Sequence, residues 1–173
     1  VSNHCSINND LDLESLETDL LGDAYIECLW PYHETIQPMD TDNENNNSVV
    51  LDLRLGNVGF ILSGDCEAEN WQEINRIFLK TGVRVFKVPH HGSKNGTIDI
   101  NGATPWLNYI NQTTYLAMST HVQRYGHPHP DVLSVLGSRI KYLYRTDIHY
   151  HLTFTTDGRR VWKKYSKLDP AFP

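Results

Sequence analysis

Apolar and polar residues alternate most regularly between residues 49 and 62. Val49, Leu51, Leu53 and Leu55 alternate with Val50, Asp52 and Arg54, and after Gly56-Asn57 the alternation resumes at Val58, Phe60 and Leu62. A period of two with turn residues in the middle predicts a half-buried β-hairpin. Its second strand runs directly into Ser63-Gly64-Asp65. The period then changes. Across Glu67–Leu79 the residues Trp71, Ile74, Ile77 and Phe78 fall on one helical face, with Glu67 and Glu69 in the first turn and Arg76 and Lys80 at the far end. That charge order complements the helix dipole, and Gly82 ends the pattern. Val83–Val88 is a short β-branched run closed by Pro89-His90-His91-Gly92-Ser93.

The remaining pattern is weaker but consistent. Leu13, Leu16 and Leu20 fit one helical face within the polar, acidic residues 1–23. Ala24–Trp30 reads as a strand ended by Pro31, and Gln37–Asn47 as a surface loop. Lys94–Thr104 is a second loop, Trp106–Ile110 a helical turn, and Tyr115–Met118 an apolar strand leading to Ser119. Pro130–Leu136 reads as a helix with proline near its start and Gly137 at its end. Ile140–Tyr144 and His149–Thr155 read as strands, and Thr156-Asp157-Gly158 turns the chain into Arg160–Lys164. Strands alternating with helices predict an α/β layered fold. No internal repeat is visible.

Composition narrows the class. Of 173 residues, 39% are apolar and 21% charged, which suits a globular chain and excludes general disorder. The length allows one domain or a large piece of one. No apolar run approaches the roughly 18–20 residues a membrane helix needs, and the start, Val1-Ser2-Asn3-His4-Cys5, has no basic segment followed by an apolar one. The missing initiator methionine predicts a native chain that begins further upstream. Cys5, Cys28 and Cys66 form neither a disulfide framework nor a C-x-x-C pair, so reduced thiols in a cytoplasmic protein are expected. The formal charge of −6 disfavours long nucleic acid but leaves a small phosphodiester compatible. Arg159-Arg160 with Lys163-Lys164 reads as a solvated face on a hairpin arm.

Three polar clusters each follow an apolar strand: Gly64-Asp65, His90-His91-Gly92-Ser93, and Ser119 through His129. In layered α/β folds such positions converge on one edge, where ligands bind. Asp65 at a strand end is either a carboxylate that bridges two divalent metals or the cap of the following helix. His90 and His91 face opposite ways unless the strand has ended, which Pro89 and Gly92 predict; neutral imidazole is a common zinc ligand. Ser93 and nearby amides are placed for an anionic oxygen. His127 and His129 each precede a proline and so have restricted backbones. A held imidazole can protonate a leaving group or stabilise negative charge. His121 and His129 read as unremarkable surface residues. His149 and His151, one strand step apart, are either a metal clip or cross-strand packing.

These residues resemble a known family. Asn46-Asn47-Ser48, Leu62-Ser63-Gly64-Asp65, Lys87-Val88-Pro89-His90-His91-Gly92-Ser93, Ser119 with Tyr125-Gly126-His127-Pro128, and Arg145-Thr146-Asp147 look like the metallo-β-lactamase domain of DNA-uptake competence proteins of the ComEC type. Soluble relatives such as phosphorylcholine esterases carry similar motifs. The likeness spans roughly residues 24–165, with 1–23 and 166–173 peripheral to a single domain over 1–173. It implies an αββα sandwich of which this chain supplies mainly the C-terminal half, with two metals at one edge, usually zinc and alternatively manganese. It implies that Asp65 and His91 are metal ligands, that His90 and His127 act beside the scissile phosphate, that Ser93 and Ser119 meet the substrate, and that metal-held hydroxide attacks a phosphodiester, in a small molecule or in nucleic acid. The family signature His-x-His-x-Asp-His is not in this chain; His4 and His33 lack its spacing, although His33 could serve as a lone ligand. The glycine that often follows Arg-Thr-Asp is replaced by Ile148-His149-Tyr150. The chain is therefore expected to be one part of a larger hydrolase, to be completed by a partner, or to be a non-catalytic binding module. A half sandwich predicts an exposed inner apolar face that invites its missing half or self-association.

Overall fold

The structure, a computed structural model, describes residues 24–31, 43–77, 82–120 and 125–166. The amphipathic pattern of residues 1–23, most of the 37–47 loop, Phe78 and Lys80 of the expected helix, and His4, His33 and His121 lie outside them. Among the described residues no helix is long and apolar enough to cross a membrane.

The chain builds a six-stranded sheet whose spatial order repeats the order in sequence. β1 (Ala24–Trp30), β2 (Val50–Leu55) and β3 (Val58–Leu62) pair antiparallel. The hairpin follows the expected register, with Leu51 opposite Leu62, Leu53 opposite Phe60 and Leu55 opposite Val58. From β3 onward the pairing is parallel, through β4 (Val83–Lys87), β5 (Tyr115–Met118) and β6 (Leu143–Arg145). Parallel neighbours need crossovers, and these are supplied by α1 (Ala68–Ile77), a 3₁₀ turn at Pro105–Tyr109, and α2 (Pro130–Leu136).

Every crossover steps the same way across the sheet. Because such connections are right-handed, all of them land on the same face. That face holds the core: Val50, Ile61, Phe86, Leu116, Met118 and Leu143 from the strands against Trp71, Ile74, Trp106, Val132 and Leu136. Phe86 stacks on Trp106 at 5.0 Å and touches Trp71 at 5.5 Å. The opposite face carries Ala24, Ile26, Cys28, Leu51, Leu53, Leu55 and Phe60, all only partly covered, and Leu62, which is 40% exposed. A two-stranded sheet, β7 (Leu152–Thr156) with β8 (Val161–Tyr165), lies against part of this second face. Phe154 meets Tyr115 and Tyr144, and the Asn57 N–H donates to the Gly158 carbonyl at 2.9 Å.

Four local expectations need correction. Glu44–Asn47, inside the expected loop, is a 3₁₀ turn capped by the Asn43 side chain. The helix begins at Ala68 rather than Glu67. The run Ile140–Tyr144 is not a strand: a 3₁₀ segment over Gly137–Tyr142 precedes a strand of only three residues. His149–Thr155 is not one strand either. Thr146–His149 forms a single helical turn, and β7 starts at Leu152. Pairing with β5 fixes where β6 can begin, and local periodicity does not encode that constraint.

Candidate functional site

Since β3, β4, β5 and β6 run parallel, their carboxyl ends share one edge, and all three polar clusters collect there. β4 ends at Lys87, and Pro89–Gly92 forms a tight turn in which both histidines adopt left-handed backbone, His90 at φ 42° and His91 at φ 57°. The strand has therefore ended before the pair, and the alternation that would separate the two rings no longer applies. Gly92, at φ 79°, lets neighbouring chain close in, because a Cβ there would lie 2.8 Å from the Met118 Sδ and 3.0 Å from Pro128. The His129 N–H then donates to the Gly92 carbonyl at 2.9 Å, which docks the third cluster onto the second.

Asp65 does not cap the helix. It stands three residues before Ala68, with its own N–H donating to the Ser48 hydroxyl at 3.1 Å. Its carboxylate turns to the histidine loop, placing Oδ2 3.4 Å from His91 Nε2 and Oδ1 3.8 Å from Lys87 Nζ. His91 Nδ1 lies 2.6 Å from the Ser119 carbonyl, which can only accept, so Nδ1 carries the hydrogen. Nε2 is left either as a bare lone pair or as a second N–H facing Asp65. Tying one ring nitrogen to a carbonyl is the usual way a metal-binding histidine is oriented. The separation also fits. Two donors on one tetrahedral zinc, each at about 2.0–2.2 Å, lie about 3.3–3.5 Å apart. Asp65 and His91 thus suit a divalent ion as a pair, but among the described residues no group of three or more His, Cys, Asp or Glu could hold one.

The other expected residues divide. The His90 ring lies 6.3 Å from that of His91 and 6.2 Å from that of His127, so the three histidines form one cluster. His127 is fixed by its backbone: its carbonyl accepts from the Thr120 hydroxyl at 2.6 Å, and Thr120 is bracketed by Thr146, at 2.9 and 3.0 Å. Burial first, then the charges of His90, His91 and His129, hold the His127 imidazole below the usual histidine range. Ser119 contributes its carbonyl to His91, while its side chain is exposed. Ser93 is 3% exposed, and its hydroxyl accepts from the Gly96 N–H at 3.1 Å, so it braces the loop from inside. His129 caps α2 by accepting from the Asp131 N–H. His149 joins no metal clip with His151: its Nδ1 sits 3.0 Å from the Arg145 nitrogen, and its ring packs between Tyr144 and Tyr165.

Two residues at the site were not expected there: Lys87, and Glu67, whose pattern marked it only as an acid at the helix start. Lys87 donates to the Gly64 carbonyl at 2.7 Å and so pins the turn that carries Asp65; burial lowers its pKa, partly offset by Asp65. Glu67, 7% exposed, lies beneath His90. Lys87 stood in a quoted motif, and Glu67 two positions after Asp65; either proximity was a usable signal. Cys66, buried beside them, has its thiol pushed up to about 12 by burial and is inert.

The chain matches no family model and no solved structure. Over 108 residues, 62% of this chain, it is 34% identical to ComE operon protein 3 of Bacillus subtilis (strain 168). That segment amounts to 13% of the relative's length.

Proposed function

We propose that this chain is the C-terminal half of a metallo-β-lactamase-type domain that, when complete, hydrolyses phosphodiesters with divalent metal ions. One observation carries the reading: His91, with Nδ1 tied to the Ser119 carbonyl, aims Nε2 at Asp65 Oδ2 from 3.4 Å. A lone pair facing a carboxylate is repulsive unless a proton or a metal ion lies between them. Zinc, or alternatively manganese, would supply a Lewis acid that activates water and draws charge from phosphoryl oxygens. Asp65 and His91 would hold it, with the Ser119 carbonyl orienting His91 and Lys87 keeping the Asp65 turn in place. His127, kept neutral by its surroundings, hydrogen-bonds a phosphoryl or leaving-group oxygen, and His90 lines the same opening. A catalytic zinc typically has about three protein ligands, so the remaining donors come from polypeptide beyond the described residues. The half-covered second face of the sheet, which wants another layer, agrees with that. The similarity to ComE operon protein 3 is consistent with a role on DNA, and the net charge of −6 favours short or small substrates.

A second reading, a non-catalytic binding module of the same fold, is favoured by the two-donor count. Zinc calorimetry on the chain separates them. Weak zinc uptake with proton release, abolished in both Asp65→Ala and His91→Ala, supports the metal site. Equal zinc affinity in wild type and His91→Ala rules it out. Bis(p-nitrophenyl) phosphate turnover by the chain alone is expected to be weak or nil even with added zinc or manganese.

A further inference from the structure

We propose that Glu67 is a positioning residue that fixes the tautomer of His90, with the hydrogen on Nδ1 and a bare Nε2 at the opening. This deepens the reading of His90 as a group beside the substrate and rests on it.

The carboxylate of Glu67 is buried and held by three side-chain amides. Asn43 Nδ2 donates to Oε2 at 2.8 Å, Asn45 Nδ2 donates to Oε1 at 3.2 Å, and Asn95 Nδ2 donates to Oε1. The first two come from the turn before β2 and the third from the loop after the histidines, so Glu67 joins three segments around the site. Burying a carboxylate is tolerable only with such donors. An ionised carboxylate has about four lone-pair sites; Asn45 and Asn95 share Oε1 and Asn43 takes Oε2, so its charge is not fully matched by donors. His90 Nδ1 approaches from 3.5 Å on the Oε1 side, at the long limit of a hydrogen bond and beside the two amides that oxygen already takes. That nitrogen is itself buried and makes no hydrogen bond. Were it the bare nitrogen, lone pair would face lone pair in a buried place. An Nδ1–H turned to the carboxylate is the arrangement whose charge complements Glu67.

The local backbone is shaped to hold this arrangement. His90 sits at φ 42°, ψ 48°, a left-handed conformation that an L side chain rarely adopts. Such strain persists where the surroundings over-determine it. Gly96 makes the room, since a Cβ there would lie 2.7 Å from the His90 Cβ. The Ala68 N–H, at the start of α1, donates to the Asn95 carbonyl at 2.9 Å, which fastens the histidine loop to the helix that follows Glu67. With Nδ1 occupied from below, Nε2 is the outward nitrogen, next to His91 and His127. Its lone pair can accept a proton from water or from a hydroxyl.

A purely structural Glu67 would not select between tautomers, so the tautomer is the readout. Two-bond ¹H–¹⁵N NMR on the full chain, at a pH well above the ordinary histidine value of about 6.5, assigns it directly. The wild type should show His90 with Nδ1 protonated and Nε2 bare. Glu67→Ala should lose that form, while His91, held by Ser119, keeps its own as an internal control. Glu67→Gln retains an accepting oxygen and should restore most of the Nδ1–H form. A wild-type His90 with its hydrogen on Nε2 overturns the proposal without any variant, as does an unchanged tautomer in a folded Glu67→Ala chain. Should the alanine variant unfold, wild type and Glu67→Gln decide. Zinc affinity measured on the same samples reports on Asp65 and His91 separately, so failure of one reading is distinguishable from failure of the other.

Discussion

Among the described residues three pairs of histidines lie close in the sequence, and in two of them, His90 with His91 and His149 with His151, the same side chain meets opposite fates. His90 and His91 lie past the end of a parallel strand, on left-handed backbone, with each imidazole held near a carboxylate. His149 and His151 follow β6. His149 is 9% exposed, anchored to Arg145 within one helical turn and packed on tyrosines, while His151 is exposed with its N–H on the Ser166 hydroxyl. What differs is the position in the topology. The first pair sits where successive crossovers bring several strand ends together; the second sits where the chain leaves the sheet for the β7–β8 arm.

The sharpest way to break this contrast is to remove one histidine from each pair. His91→Ala should lower divalent-metal affinity by more than the roughly 10–100-fold typical of changes behind a ligand, with activity of the complete domain lost as a consequence; an unchanged dissociation constant by calorimetry would count against its assignment. His127→Ala in the complete domain should reduce kcat by about 10²–10⁴-fold with metal content unchanged, the range typical of acid–base groups. Equal metal loss in both variants would mean the roles are wrongly divided. His149→Ala should leave metal affinity alone and lower stability by about 1–3 kcal/mol, the usual cost of stripping a buried polar anchor. Denaturation midpoints check this, and a metal defect there would erase the distinction between the pairs. His151→Ala should stay within about 0.5 kcal/mol of wild type.

The smallest effect concerns protonation. The His127 pKa in the folded chain is lowered, so protons favour the unfolded chain between the folded and unfolded values. Its contribution to stability is present above the ordinary histidine range near about 6.5 and is lost as pH falls through the lowered value. An NMR titration should place His127 below free histidine; a midpoint at or above that value would mean that neither burial nor the neighbouring imidazoles act on it.

The two faces of the large sheet show how far sequence pattern reaches. Alternation across Val49–Leu62 marked one apolar side of the hairpin, Leu51, Leu53, Leu55, Val58, Phe60 and Leu62. The structure puts that side away from the helices, where it remains partly uncovered, and puts Val50 and Ile61 in the core beside the buried Asp52 and its partner Arg54. Apolar residues occupied both sides of the strand, so pattern alone could not say which side the helices would seal. The right-handed crossovers decided it. Ser93 was legible as a loop residue, but whether its hydroxyl points out or in depends on Gly96 and the fold of the loop. Glu67 looked like a helix-start acid. Its burial depends on Asn43 and Asn45, more than twenty residues earlier.

By itself the sequence determined the hairpin, the amphipathic helix, the end of β4 before His90, and the order in which Asp65, the histidine pair and His127 follow apolar strands. All of these are set by neighbours within a turn or a strand step, where periodicity, proline and glycine act directly. Only the tertiary structure decided that Asp65 Oδ2 and His91 Nε2 come within 3.4 Å, that Ser119 offers its carbonyl rather than its hydroxyl, and that Glu67 lies under His90. Each of those facts depends on the register between parallel strands and on the handedness of the crossovers joining them. Both are fixed by packing between residues far apart in the chain.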